Sequence, residues 1–255
     1  MIDLFAGLGG WAEGGLAEGY DVIGFDVEQH VYGEHRYPAQ LVVQDVLNLH
    51  GSQFRNADLI VASPPCQEYS YMAMPWSRAK AKAAAIRADT TGQALADLTR
   101  LFDACFRIQR EACEAAGRHI PMVVENVKGA QPWVGRARWS FGSFYLWGDV
   151  PALMPPVVKR ERKVQMASWR HPDDPRHVPG QGFNTLADRA TKIAGGSWFG
   201  VGNDRSPMRQ HHSGSTSRKF ASAMIAKIPL ALSRHIAATY YPLTTDREPR
   251  AARSL

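Results

Sequence analysis

The first half of the chain alternates short, continuous apolar runs with longer segments in which apolar residues recur at helical spacing. Five runs are strand candidates, at residues 2–5, 22–25, 41–43, 59–62 and 122–125. Runs that are apolar at successive positions are typical of strands covered on both faces, as in a mostly parallel sheet. Helical spacing covers residues 11–18 and about 92–116, and Gly117 is predicted to end the longer helix. The alternation predicts βαβ units and therefore an α/β fold.

The pattern changes after Trp147. Residues 151–216 are rich in Pro, Gly, His and Arg and show no sustained period, which predicts a loop-dominated insert or small second domain. Helical spacing returns over residues 219–240, where Pro229 is expected to kink the helix or split it in two. We therefore predict a main domain over 1–150, a small basic region over 151–216, a helix over 217–243 that returns to the main domain, and a polar tail over 244–255.

Composition excludes several classes of protein. The chain has 255 residues, 45% of them hydrophobic, which is enough for a large core, and no apolar run approaches the roughly 20 residues of a membrane span. Three cysteines do not make a disulfide framework, and no secretory signal is visible, so we expect a reducing, cytoplasmic setting. The net charge is +6, and residues 151–220 hold twelve Lys and Arg against five Asp and Glu. That charge alone favours a polyanion-binding stretch and a solvated basic loop about equally.

The chain opens with a predicted strand that runs into a glycine-rich turn and then into a helical pattern. Residues 2–11 read Ile-Asp-Leu-Phe-Ala-Gly-Leu-Gly-Gly-Trp. Glycines let a backbone approach a ligand closely, and a helix N-terminus favours negative charge. The spacing matches neither a dinucleotide fingerprint nor a P-loop, so the turn by itself indicates only a nucleotide-type cradle.

The next two predicted strands each end near an acid, Asp26 and Asp45. Ligands of an open α/β sheet lie outside the carboxyl ends of the strands, where one acid can bind ribose hydroxyls and the other can accept from an adenine amino group. Taken singly, such acids are more often turn or cap residues. Together with the glycine turn, they indicate an adenosine-containing cofactor.

Two further candidates follow later strands. Cys66 comes directly after two prolines in Ala-Ser-Pro-Pro-Cys-Gln, so it lies on a stiffened loop at the same carboxyl edge and is a candidate nucleophile. Glu125 ends the run Val-Val-Glu-Asn-Val, and a carboxyl group at the end of a buried strand is costly unless it has a partner or a task. We expect Glu125 to emerge near Cys66.

The order of DLFAGLGG, two acids, PPCQ and ENV resembles the DNA cytosine-5 methyltransferase family over residues 2–127, about half of the chain. The resemblance implies a Rossmann-like, S-adenosylmethionine-dependent methyltransferase fold with a small, loop-rich target-recognition region. In the family, the acid after the second strand is usually Glu, so Asp26 takes that position and Glu28 is the competing assignment. The residues implied to bind S-adenosyl-L-methionine are Phe5, Gly7, Gly9, Gly10, Asp26, Glu28, Asp45, Val46 and Pro65.

The resemblance also implies the chemistry. Carbon 5 of cytosine becomes nucleophilic when a thiolate, here Cys66, adds to carbon 6 of the ring. Glu125 would protonate or hydrogen-bond ring nitrogen 3, and Asn126 would help to position the loop. A cytosine inside a duplex is out of reach of these groups, so the base must be flipped out. The implied partner is double-stranded DNA, which the protein would bind as a monomer. The resemblance implies no metal site.

The second half of the chain matches the family less closely. In the family, an arginine ahead of a later strand contacts the cytosine. The local candidates here are Arg136 and Arg138, which precede a strand candidate at 144–147. An equal alternative is that these two residues belong to a basic loop that touches phosphate. Ser222 takes the place of an asparagine that the family uses near its cofactor. The short target-recognition region resembles compact phage or prophage members of the family.

Two alternatives to the DNA enzyme remain. One branch of the family methylates RNA, so a tRNA cytosine-5 methyltransferase would use the same chemistry on another substrate. A DNA-binding protein that has lost catalysis is of a different class. The intact PPCQ and ENV motifs disfavour it, because an inactive descendant has no reason to keep both.

Overall fold

Seven strands form one mixed sheet in the computed structural model, which describes residues 1–70, 76–154 and 215–242. Two further short strands form a separate hairpin, which in the sequence comes between residues 26 and 40. In chain order the strands are β1 Ile2–Leu4, β2 Ile23–Asp26, β3 Val31–Tyr32, β4 His35–Arg36, β5 Gln40–Val43, β6 Ile60–Ala62, β7 Met122–Asn126, β8 Trp139–Phe141 and β9 Phe144–Gly148.

The strands of the sheet follow the order β5-β2-β1-β6-β7-β9-β8. The first five are parallel, whereas β9 is antiparallel to both of its neighbours. The order reverses between β1 and β6, so the loops that follow these two strands lie side by side, at the point where open α/β sheets bind their ligands. The predicted fold class, an α/β Rossmann-like methyltransferase fold, is confirmed.

Helices cover both faces of this sheet. They are α1 Gly10–Ala17, α2 Trp76–Ala88, α3 Gln93–Ala116, α4 Gln131–Val134, α5 Thr216–Ala226 and α6 Leu230–Tyr240, with short 3-10 turns at Val46–Asn48, Gly51–Phe54 and Lys128–Ala130. No helix within the described ranges has the length and apolar character that a membrane span requires.

The apolar side chains of the strands are shared between two cores. In β6, Ile60 and Ala62 pack with α3 on one face, while Val61, together with Leu59 directly before the strand, packs with α1 and α6 on the other. All four are fully buried. Because successive side chains of a strand point to opposite faces, a strand covered on both sides must be apolar at every position.

Glycines allow α1 to lie directly against the C-terminal helices. A Cβ atom at Gly10 would lie 2.4 Å from the backbone nitrogen of Ile228, and one at Gly14 would lie 2.4 Å from the carbonyl carbon of Ser233. Both separations are far inside van der Waals contact, so only glycine permits this packing. The C-terminal segment thereby returns to the first helix of the chain.

Most of the predicted elements are confirmed, with small shifts at their ends. The five strand candidates are all strands of the sheet, and α3 ends at Gly117, which has φ 63°. The helical pattern at 219–240 is split by Pro229 into α5 and α6. The pattern did not predict α2, α4, β8 or the β3–β4 hairpin. Most of the predicted basic region (155–214) and the tail from residue 243 lie outside the described residues.

Candidate active site at the carboxyl edge of the sheet

The candidate site begins with a strained turn after β1. Phe5 has φ 61° and is the one non-glycine residue with positive φ within the described ranges. Gly7 and Gly9 follow with φ 50° and 75°. A bulky side chain in the left-handed region costs on the order of 1–3 kcal/mol and persists only where its surroundings hold it. Such strain clusters at ligand sites, so the strain at Phe5 makes this turn a candidate ligand site.

Asp26 holds the glycine turn in place. Its Oδ2 accepts a hydrogen bond from the backbone nitrogen of Gly7 at 2.9 Å, and its Oδ1 accepts one from the nitrogen of Glu28 at 3.3 Å. The side chain of Glu28 is 60% exposed, and its carboxylate lies 3.5 Å from Nδ1 of His30. The two competing acids therefore differ: Asp26 is built into the turn, while Glu28 stands open to solvent.

Asp45 and Val46 follow β5 at the same edge. Asp45 begins the 3-10 turn at Val46–Asn48, where its Oδ1 accepts from the nitrogen of Leu47 at 2.9 Å. Val46 is 1% exposed and packs in the core with Phe25 and Leu49. The contacts of these two residues with an adenine ring stay predictions.

The turn has the shape of a cradle for a small molecule. A Cβ atom built at Gly7 would meet only the carbonyl oxygen of Phe5, at 4.0 Å, so the space beyond Gly7 is open. Asp26, Glu28 and Asp45 supply carboxylate acceptors at the ends of the adjacent strands. An open glycine turn with acids at the next two strand ends fits an adenosine-containing cofactor such as S-adenosyl-L-methionine.

A buried acid lies beneath this cradle. Asp3, in β1, is 0% exposed, and its Oδ2 accepts from the hydroxyl of Tyr37 at 3.1 Å, while its Oδ1 has no hydrogen-bond partner. Burial raises the pKa of Asp3 well above its usual range. Burial also raises the pKa of Tyr37, which therefore stays a hydrogen-bond donor.

The loop that carries Cys66 is fixed to the end of β7. The side-chain amide of Asn126 donates to the carbonyl of Pro64 at 3.0 Å, and its own oxygen accepts from the nitrogen of Val127 at 2.8 Å. Cys66 is half-buried, and its carbonyl accepts from the nitrogens of Tyr69 and Ser70 at 3.0 and 2.9 Å. The asparagine of the ENV motif thus positions the PPCQ loop.

Glu125 lies at the neighbouring strand end. In the parallel pairing of β6 with β7, Ala62 pairs with Val124, so Glu125 is level with the first residue of the cysteine loop. Glu125 is 8% exposed and Asn126 is 1% exposed. The register and the Asn126–Pro64 hydrogen bond bring the PPCQ and ENV motifs together at one edge of the sheet, as expected.

Two further side chains fix the far end of the cysteine loop. The hydroxyl of Tyr69 donates to the carbonyl of Leu98 in α3 at 2.9 Å, and burial raises the pKa of Tyr69 to about 12, so the donor proton is kept at neutral pH. The ammonium group of Lys82 in α2 pairs with the carboxylate of Glu68. Sequence reasoning missed both interactions, because they join residues 14 and 29 positions apart.

The two halves of the site are joined by a tryptophan. Nε1 of Trp11, in the first turn of α1, donates to Oγ of Ser63 at 2.9 Å. Ser63 is the residue that connects β6 to the cysteine loop, and its nitrogen bonds to the carbonyl of Leu4 at 3.1 Å. The glycine turn and the cysteine loop are therefore held at a fixed separation.

The remaining predicted residues, two arginines, a proline and a serine, are exposed. Arg136 and Arg138 are exposed and precede β8, which lies two strands, or about 10 Å, from β7. Pro65 is exposed next to Cys66, and Ser222 is exposed on α5. Their roles in contacting the cytosine or the cofactor stay predictions.

Comparison with known proteins supports the resemblance seen in the motifs. Residues 1–84 match the family model described as C-5 cytosine-specific DNA methylase, a stretch that contains the glycine turn, Asp26, Asp45 and Cys66. No curated protein matches the chain significantly. The family match confirms the predicted resemblance.

Two solved structures are similar to parts of the chain. One is a DNA modification methyltransferase encoded within a prophage of E. coli, with 24% identity over 51% of this chain and 32% of that chain and a TM-score of 0.33. The other is the methyltransferase EhMeth of Entamoeba histolytica, with 15% identity over 64% of this chain and 54% of that chain and a TM-score of 0.35. The present chain thus spans about a third of the first protein and about half of the second.

Proposed function

We propose that this protein transfers a methyl group from S-adenosyl-L-methionine to carbon 5 of a cytosine flipped out of double-stranded DNA, with Cys66 as the nucleophile. The observation that carries the proposal is the hydrogen bond from Asn126 to the carbonyl of Pro64. It ties the loop of the only cysteine at the carboxyl edge, within the described residues, to the strand end that holds Glu125. The family match over residues 1–84 supports the substrate class.

In the proposed reaction, the thiolate of Cys66 adds to carbon 6 of the cytosine, and the electron pair of the 5,6 double bond moves toward carbon 5. Glu125 supports this addition by donating a proton or hydrogen bond to ring nitrogen 3, which takes up negative charge. S-adenosyl-L-methionine, when bound, would supply the methyl group to carbon 5, and its sulfur would keep the electron pair of the broken bond. A base then takes the proton from carbon 5, the electron pair of that bond forms the 5,6 double bond again, and the bond between sulfur and carbon 6 breaks to release the Cys66 thiolate.

The cradle residues have separate tasks in this proposal. Phe5, Gly7, Gly9 and Gly10 shape the surface on which the cofactor lies, and Asp26 holds Gly7 while accepting from the ribose hydroxyls. Each carboxylate oxygen has two lone pairs, so the hydrogen bonds from Gly7 and Glu28 leave Asp26 able to accept more. Asp45 accepts from the adenine amino group.

The decisive test is to replace Cys66 and look for a covalent complex. Duplex DNA with 5-fluorocytosine at target sites should trap the unaltered protein as a complex that survives denaturing electrophoresis, because fluorine at carbon 5 cannot leave as a proton. Cys66→Ala should abolish both trapping and methyl transfer. Cys113→Ala is the matched control, since Cys113 is half-buried on α3 and hydrogen-bonds to the backbone of Ile120 at 3.2 Å, away from the carboxyl edge.

Retention of methyl transfer by Cys66→Ala would overturn the mechanism. If labelled methyl groups were transferred to tRNA and not to duplex DNA, the proposed reaction mechanism would stand, but the substrate would be tRNA. Bisulfite sequencing of DNA from a methylation-free host that expresses the protein would then give the sequence context of the modified cytosines.

A further inference from the structure

Trp11, in the first turn of α1, is a buried tryptophan whose indole nitrogen has its partner outside the helix. Its side chain is 3% exposed and packs in the core that also holds Ala6 and Tyr37. An indole nitrogen can only donate, so a buried indole needs an acceptor, whereas a phenylalanine would fill the core without one. The acceptor is Oγ of Ser63, at 2.9 Å and 52 positions along the chain. Apolar packing alone does not require this hydrogen bond, which we call the Trp11–Ser63 pair.

Ser63 lies where the cysteine loop begins, and the backbone there is also bound to neighbouring strands. The nitrogen of Ser63 donates to the carbonyl of Leu4 at 3.1 Å, which continues the pairing of β6 with β1. The carbonyl of the next residue, Pro64, accepts from the side chain of Asn126 in β7 at 3.0 Å. The start of the loop is therefore held by β1, α1 and β7 together.

The two prolines make the position of Cys66 depend on that of Ser63. A proline ring fixes its own φ at about −65°, and the residue before a proline is restricted to extended conformations. Pro64 and Pro65 are consecutive, so ψ of Ser63, both dihedrals of Pro64 and φ of Pro65 have little freedom. Between the Cα atoms of Ser63 and Cys66, only ψ of Pro65 is left outside these restrictions. A displacement of Ser63 would therefore move Cys66 with it.

The cofactor side of the pair is rigid for a different reason. Trp11 directly follows the glycine turn, in which Gly9 has φ 75°. A Cβ atom at Gly10 would lie 2.4 Å from the backbone nitrogen of Ile228, so the first turn of α1 is packed closely against the C-terminal segment. The indole of Trp11 thus extends from a fixed turn on the cofactor side to a stiff loop on the nucleophile side.

We propose that the Trp11–Ser63 pair positions the Cys66 nucleophile relative to the methyl donor, so that Trp11 and Ser63 are positioning residues of the reaction. This inference rests on the proposed function, which puts the cofactor on the glycine turn and the nucleophile at Cys66. The thiolate and the methyl group must reach adjacent atoms of one ring, carbon 6 and carbon 5, and reacting atoms must approach within about 3–3.5 Å. The separation of the glycine turn from the cysteine loop sets both distances together.

A double-mutant cycle tests the proposal. Trp11→Phe removes the donor and keeps an aromatic ring in the core, and Ser63→Ala removes the acceptor. In either variant, we expect kcat for methyl transfer to duplex DNA to fall on the order of tenfold, since a misplacement of about 1 Å costs up to about 100-fold. The rate of covalent trapping by 5-fluorocytosine DNA at saturating S-adenosyl-L-methionine should also fall, while the Kd of the cofactor stays the same. The double variant should lose no more activity than either single variant, because both changes break the same hydrogen bond.

The matched control removes a buried hydrogen bond from the same core at the opposite edge of the sheet. The hydroxyl of Tyr20 donates to the carbonyl of Ala237 at 3.2 Å, and Tyr20 precedes the amino end of β2. Tyr20→Phe keeps its ring and loses only this donor, so urea denaturation should show a decrease in stability while kcat and the rate of trapping stay unchanged. The control therefore separates lost stability from lost positioning.

The outcomes separate this inference from the proposed function. Unchanged kcat in both Trp11→Phe and Ser63→Ala would overturn the positioning role and leave the proposed function in place. An equal loss of kcat in Tyr20→Phe would also overturn it, since the effect would then follow stability alone, and so would losses that multiply in the double variant. A rise in the cofactor Kd that accounts for the whole loss would overturn it as well. If the unaltered protein neither traps nor methylates duplex DNA, the proposed function fails, and the positioning role fails with it.

Discussion

The two halves of the candidate site are held together by different means. In the cofactor half, which consists of residues 5–10, 26–28 and 45–46, glycines let backbone segments approach their neighbours closely, and the side chain of Asp26 accepts a hydrogen bond from the backbone of Gly7. In the catalytic half, residues 63–70 and 125–127, side chains of one segment hydrogen-bond to the backbone of another. A cradle for a cofactor requires a backbone surface of fixed shape, whereas a reactive loop requires a fixed position for one side chain. The two halves should therefore respond differently to substitution.

The strongest effect is expected from Gly10→Ala in the cofactor half. The added Cβ would lie 2.4 Å from the backbone nitrogen of Ile228, and neither backbone can move without separating α1 from the C-terminal helices. We expect a decrease of about 3 kcal/mol or more in the free energy of unfolding, measured by urea denaturation. The control is Gly92→Ala. Gly92 has a left-handed backbone conformation, with φ 75°, and no atom lies within 4 Å of a Cβ added there. The free energy of unfolding should therefore fall only by the backbone strain, roughly 1–2 kcal/mol. Equal decreases in the two variants would remove the contrast between packing and strain.

The second prediction separates the halves by kinetics. Asn126→Ala removes the hydrogen bond to Pro64, so the loop of Cys66 loses its fixed position. We expect kcat for methyl transfer to fall about 100-fold, since a misplacement of about 1 Å has that effect, while the Kd for S-adenosyl-L-methionine stays the same. Asp26→Asn is the counterpart in the cofactor half, and it should raise that Kd and leave trapping by 5-fluorocytosine DNA intact when S-adenosyl-L-methionine is saturating. A fall in cofactor affinity with Asn126→Ala would contradict the division into two halves.

The smallest effect concerns Asp3, a buried carboxyl group in β1, the strand that leads into the cofactor half. Its pKa is raised by burial, so the folded protein keeps the proton at pH values where the unfolded chain has released it. Stability contributed by this group is therefore lost as the pH rises from the ordinary pKa of Asp toward the raised one. Asp3→Asn carries no such titration and should gain stability relative to the unaltered protein as the pH rises from 4 to 8.

Thermal melts across this pH range measure the difference. Asp21→Asn serves as the control for the removal of one carboxylate charge, because Asp21 is exposed near the start of β2. A constant difference between Asp3→Asn and the unaltered protein at all pH values would show that Asp3 does not titrate abnormally.

The predictability of the site from sequence differs between its parts. The strand ends that carry Asp26, Cys66 and Glu125 were predictable, because continuous apolar runs reveal strands covered on both faces and the polar residue after each run marks the carboxyl edge. Helix α2 was not predicted, since its alanines and cations have no apolar period. The role of Asn126 as the anchor of Pro64 was also out of reach, because the two residues are 62 positions apart.

The α/β class, the glycine turn and the set of chemical groups at the carboxyl edge can be read from the amino-acid sequence alone. These properties follow from local spacing, since the periodicity of burial and the conformational freedom of glycine act within a few residues. Three other properties depend on tertiary packing: β1 and β6 are neighbours, Asn126 holds the cysteine loop, and α2 carries its charges beside Cys66. Such interactions depend on which distant surfaces pack together, and the free energy of that packing is distributed over the whole core, so no short segment records it.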